Sequence, residues 1–111
     1  SEMVKPDKTV KILIVEDNPE MRKVLAQIFE QIYDVYTAAD GQEGLEQASS
    51  LQPQMIVSDI MMPVMSGLEM CEKLKSRMKN GWGIKFMAAA LPDISLLLIV
   101  RVHREPGNVC I

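Results

Sequence analysis

Three carboxylates carry the chemistry this sequence could perform. Glu16 and Asp17 follow directly on the apolar run Ile12–Val15, and Asp59 closes "MIVSD" at residues 55–59. A carboxylate at the end of a buried strand costs free energy unless something uses it. If the three converge, they repel one another, which raises their pKa values or demands a cation. Hard oxygen ligands without His or Cys nearby favour Mg²⁺ over zinc or copper. Such an ion draws phosphate oxygens to it, and a carboxylate beside it can act as a nucleophile toward a phosphoryl group.

Convergence requires particular elements, and the chain supplies them. The continuous run Ile12–Val15 predicts a strand covered on both faces. Asn18 and Pro19 then supply an N-cap and a first-turn proline. Met21, Val24, Leu25, Ile28, Phe29 and Ile32 follow at helical spacing, while Glu20, Arg22, Lys23, Gln27 and Glu30 fall on the other side. The pattern repeats with a short strand at 34–38 and a helix at 40–50, Asp40 as its cap and Leu45 and Ala48 inward. Gly44 weakens that helix. A third strand at 55–59 leads, through the loop ending at Gly67, to a third helix with Leu68, Cys71, Leu74 and Met78 inward. Alternating strands and helices with short connections imply a parallel sheet with right-handed crossovers. In such sheets sites form beyond the carboxyl ends of the strands, where strand order reverses. With the order 2-1-3, Glu16, Asp17 and Asp59 share one edge.

Bulk properties narrow the function classes. The chain has 111 residues, 48% hydrophobic and 24% charged, which fits one small domain. A net charge of −3 and the lack of any basic run argue against a nucleic-acid partner. The longest apolar run, Ile94–Val100, falls well short of the ~20 residues a membrane helix needs, so no membrane partner is expected. Cys71 and Cys110 lack metal-site spacing and no signal peptide precedes them, which predicts reduced thiols and a cytoplasmic location. The polar opening, residues 1–10, reads as a linker or expression remnant.

"ILIVEDNPEMRKVLAQIF", "YTAADGQEGLE" and "MIVSDIMMPVMSGLEMCEKLK" resemble the receiver domain of two-component response regulators, over about residues 11–76. The resemblance rests on the acidic pair after strand one, the Asp after strand three, and Pro63 and Gly67 four and eight residues beyond it. It implies a flavodoxin-like α/β fold, a parallel sheet flanked by helices, and a phosphorelay role in signal transduction. By that resemblance Asp59 is the phosphoacceptor, taking a phosphoryl group from a partner sensor histidine kinase. Glu16, Asp17, Asp59 and the backbone carbonyl of Met61 hold Mg²⁺, with Asp17 a direct ligand. Pro63 and Gly67 shape the loop, proline by fixing φ and glycine by allowing a conformation other residues resist. No enzyme activity is implied beyond Mg²⁺-dependent self-phosphorylation and dephosphorylation.

The resemblance fails after Ser76. Receivers place a Thr or Ser at the end of strand four and a Lys followed by Pro at the end of strand five. If "ISLLLIVRV" is strand four, the residues at its end are Arg101, Val102 and His103, and no Lys follows Lys85. Two more strand–helix units need on the order of 40–50 residues, and residues 77–111 number 35. The expectation is one domain over 11–111, family-like to 76 with an atypical tail at 77–111, its sheet incomplete or rearranged after the third unit. A truncation, a frame shift or natural divergence would each produce that break.

An unfinished sheet exposes an edge, which predicts a homodimer or a strand-exchanged oligomer driven by "FMAAALPDISLLLIV". The alternative function is a non-phosphorylatable or truncated pseudo-receiver serving as an interaction module. A phosphatase of the haloacid dehalogenase kind is disfavoured, because Met61 stands where its second aspartate belongs. The nine methionines read as core filler, His103 and Trp82 as loop residues, and Arg101 as an exposed strand end.

Overall fold

A computed structural model describes residues 5–77, together with the backbone of two strands at 82–89 and 97–104. The elements run β1 (Lys11–Val15), α1 (Pro19–Glu30), β2 (Asp34–Ala38), α2 (Gly41–Leu51), β3 (Met55–Asp59), α3 (Gly67–Arg77), β4 (Trp82–Ala89) and β5 (Leu97–Arg104). The first three strands form the parallel sheet of three strand–helix units that the residue pattern predicts, in the order β2-β1-β3. Val15 pairs with Ala38 on one side and with Ser58 on the other, so all three strands end at one level. The residue after Val15 and the residue after Ser58 therefore emerge side by side.

Beyond β3 the sheet is rearranged. β5 pairs with β3 antiparallel, and β4 pairs with the outer side of β5, giving the order β2-β1-β3-β5-β4. "ISLLLIVRV" is thus not a fourth parallel strand, since its strand segment is β5, and Trp82 opens β4 rather than lying in a loop. Chain length supplies the reason. Residues 90–96 alone join β4 to β5, whereas a parallel crossover needs a dozen or more residues. Met78, the last inward position predicted for α3, lies outside the described residues, as do Cys110 and residues 90–96, the middle of the expected oligomer-forming stretch at 86–100.

The parallel part has a core on each face. On one face Leu13, Val15 and Ile56 pack with Leu45 and Ala48 of α2 and with Met70, Cys71 and Leu74 of α3, all buried. Cys71 lies inward as expected, and burial pushes its thiol up to about 12. Gly44, a weak point for a helix, is required by close packing: a Cβ there would sit 2.9 Å from Val15 Cγ2 and 2.7 Å from Met70 Sδ. Met70 is a core residue missed by the periodicity, while Leu68 is half exposed.

The other face is thinner. Ile12, Ile14 and Val57 are buried under Leu25, Ala26 and Phe29 of α1, which are themselves only partly buried. No residue of α1 is buried, and Val24 and Ile28, predicted inward, are about half exposed. Among the described residues α1 is the one helix on this face; it covers the strands with a narrow stripe, and the outer rows of its apolar face stay in water. The segment before β1 is tied to the end of α1, with Asp7 N–H donating to the Ile32 carbonyl at 2.6 Å and Lys8 Nζ to the Tyr33 carbonyl at 3.0 Å.

Candidate functional site

Glu16, Asp17 and Asp59 meet at the carboxyl edge of the parallel strands, with one oxygen from each lying within 4.8 Å of the others. Glu16 and Asp59 are buried at 4% and 6% exposure, whereas Asp17 is exposed, so the cluster opens to solvent on the Asp17 side. Among these three the donors are all carboxylate oxygens, the set that suits a hard divalent cation. An opening on one side also suits Mg²⁺, which keeps several of its waters.

The loop bearing Glu16 and Asp17 is fixed by polar contacts. Glu16 N–H donates to the Ala38 carbonyl at 3.1 Å, extending the β1–β2 ladder by one bond. Glu16 Oε2 accepts from Asn18 N–H at 3.0 Å. Asn18 caps α1 as predicted, its Oδ1 accepting from the N–H groups of Glu20 and Met21 at 2.9 and 3.0 Å. Arg22, expected on the solvent side of α1, instead turns back and donates from Nη1 to the Glu16 carbonyl at 2.8 Å.

The loop after Asp59 is built by packing. Met62 and Met65 are buried in the α2/α3-side core, while Met61 before them and Val64 between them face solvent. Met65 N–H closes a three-residue turn onto the Pro63 carbonyl at 2.7 Å, which sets Val64 at φ 71°, an uncommon and strained value for a β-branched residue. Gly67 N–H then donates to the Ile60 carbonyl at 2.9 Å. Gly67 does not serve through an unusual dihedral, as the sequence suggests. It serves through proximity, because a Cβ there would lie 2.3 Å from the Asp59 carbonyl oxygen and 3.0 Å from Ser58 Oγ. Ser58, fully buried, donates its hydroxyl to the same Asp59 carbonyl at 2.9 Å.

Electrostatics agree with the geometry. Burial raises the Asp59 carboxyl above its ordinary value, the charge of Asp17 adds to the shift, and the Met61 N–H, donating to Oδ1 at 3.1 Å, partly opposes it. Glu16 is raised chiefly by burial, with further upward contributions from Asp17 and from the charge of Asp59, against the bond from Asn18 N–H. The cluster is therefore held together by the fold against its own repulsion, which a cation would relieve.

The family model for the response regulator receiver domain matches residues 12–93. The chain belongs to that family. The match runs past Ser76 and takes in β4, so family likeness extends further than the motifs alone indicate. Hybrid signal transduction histidine kinase D of Dictyostelium discoideum is 51% identical over 65 residues, covering 59% of this chain and 4% of that protein. The sensor histidine kinase TmoS of Ectopseudomonas mendocina is 37% identical over 86 residues, 78% of this chain and 9% of that one. The receiver chain thus spans only a small part of these relatives. Among solved structures, the N-terminal domain of an uncharacterized protein from Wolinella succinogenes superposes with a TM-score of 0.59 at 40% identity, covering 60% of this chain and 55% of that one. Vibrio cholerae chemotaxis protein CheY4 gives 0.56 at 35% identity, over 61% and 59% respectively.

Arg22 and Ser58 are the residues at this site that sequence reasoning misses. Ser58 carried a signal, as the one hydroxyl inside an otherwise apolar strand. Arg22 carried none, since a charged residue in the first turns of a helix is ordinary surface.

Proposed function

We propose that this receiver accepts a phosphoryl group on Asp59 from the phosphohistidine of a partner sensor histidine kinase, with Mg²⁺ held by Glu16, Asp17, Asp59 and the Met61 backbone carbonyl. The observation that carries the reading is the meeting of three carboxylates within 4.8 Å at the carboxyl edge of the parallel strands. In the transfer, an Asp59 carboxylate oxygen forms a bond to phosphorus as the bond to the donor's imidazole nitrogen breaks, and the imidazole leaves as the neutral base once protonated. When bound, Mg²⁺ neutralises charge on the phosphoryl oxygens and screens them from the carboxylates. The chain's own part is positional. Ser58 and Gly67 fix the Asp59 backbone, Met61 N–H orients its side chain, and Asn18 and Arg22 hold the loop carrying Glu16 and Asp17. A cytoplasmic location fits this role, because the donor kinase presents its phosphohistidine there.

A second reading has its own support. The strand beside Asp59 places Leu97 opposite it, and the outer strand ends in Ala89 at the same level. Neither residue offers the hydroxyl or ammonium that the family resemblance puts near the phosphoryl group. A pseudo-receiver, working as an interaction or self-association module, would need neither.

Intact mass after incubation with a small phosphodonor separates the two. The first reading predicts a phosphoryl adduct in the presence of Mg²⁺ that disappears with EDTA and in Asp59→Asn. Folded protein that acquires no adduct favours the second.

A further inference from the structure

We propose that Arg22 is a positioning residue for the cation pocket, acting through the Glu16–Asp17 peptide unit. The inference rests on the reading of Glu16, Asp17 and Asp59 as a Mg²⁺ site. The Glu16 carbonyl belongs to the same planar unit as the Asp17 N–H. The guanidinium that holds this carbonyl at 2.8 Å therefore sets the plane from which the Asp17 side chain departs. Asp17 is the exposed member of the cluster, without the burial that fixes Glu16 and Asp59. It depends most on its backbone for direction.

Helix α1 makes this contact more consequential. It buries no side chain of its own, so packing alone registers it weakly against the sheet. Its register against the acidic loop is carried by two polar links, the Asn18 cap and the Arg22 side chain. A charged donor to a carbonyl is the stronger kind of hydrogen bond. Arg22 sits six residues from Glu16, so the link closes a small ring of chain around the loop.

The guanidinium is also a positive charge at the rim of an acidic site, and that effect has the opposite sign. Loss of a cation there strengthens Mg²⁺ binding, whereas loss of positioning weakens it. The sign of the change decides between them.

The test is calorimetric titration of MgCl₂ into wild type, Arg22→Met and Arg22→Lys, at fixed ionic strength and below the melting temperature of each. Methionine keeps the stem and the helix propensity but removes the donor. Supporting residues around metal sites cost about 10–100-fold in affinity when removed; a loss near the lower end, about tenfold, is expected for Arg22→Met. Arg22→Lys restores a single donor and is expected to recover most of that loss. Unchanged or tighter binding in Arg22→Met, or a lysine variant as weak as the methionine one, would overturn the proposal. So would a lower melting temperature with affinity unchanged, which is what a purely structural arginine produces. If wild type itself binds no Mg²⁺, the pocket reading fails first and the proposal falls with it.

Discussion

The two loops that meet at the acidic pocket are held by different physics. Between β1 and α1, Glu16–Asn18 are secured by directional polar bonds: a ladder extension to Ala38, a carboxylate–amide contact, a helix cap and an arginine. Between β3 and α3, residues 60–66 are secured by two buried methionines, Met62 and Met65, and by the close approach of Gly67 to Asp59. The difference follows from what each loop carries. A loop bearing two carboxylates needs polar partners where one of them is buried, as Glu16 is. A loop that brings no charged side chain to the pocket can be anchored by apolar burial, and it leaves Met61 and Val64 at 74% and 95% exposure while doing so.

That contrast can be broken. Gly67→Ala is expected to have the larger effect, about 3 kcal/mol of lost stability, because the clash is with backbone that cannot rotate away. Denaturant unfolding measures it. A cost below about 1 kcal/mol would mean that close packing is not what fixes the Asp59 loop. Asn18→Ala should cost less, about 1 kcal/mol, the usual worth of an N-cap. Equal costs at the two positions would erase the distinction between the loops.

Much of this was legible in the sequence, and for identifiable reasons. The β1, β2 and β3 runs and the Asn18 and Asp40 caps are local signals, and each landed where its pattern placed it. The acidic cluster was legible because parallel order and strand ends constrain where Glu16 and Asp59 emerge. Three things were not. Val24 and Ile28 satisfy the helical period yet stay half exposed, since periodicity ranks faces without saying how much of a face is covered. The role of Gly67 depends on a distance to Asp59 rather than on a dihedral. The antiparallel placement of β5 between β3 and β4 turns on a connection too short for a crossover, a constraint that appears only once Trp82–Ala89 is recognised as a strand.

The fold brings Glu16, Asp17 and Asp59 together against their own repulsion, and one set of thermal melts tests whether a cation relieves it. Asp59 and Glu16 are both raised above their ordinary values of 3.8 and 4.5, chiefly by burial. Their ionised forms are thus disfavoured in the folded state. The resulting loss of stability is complete above the raised pKa values and vanishes below the ordinary ones. Without divalent ions at about pH 7, Asp59→Asn should therefore melt a few degrees above wild type, and at about pH 3 the gain should vanish. With excess Mg²⁺ at about pH 7 the order should reverse, because wild type gains binding energy that the variant lacks. An Asp59→Asn variant that melts below wild type without metal, or an order that Mg²⁺ leaves unchanged, would contradict the account.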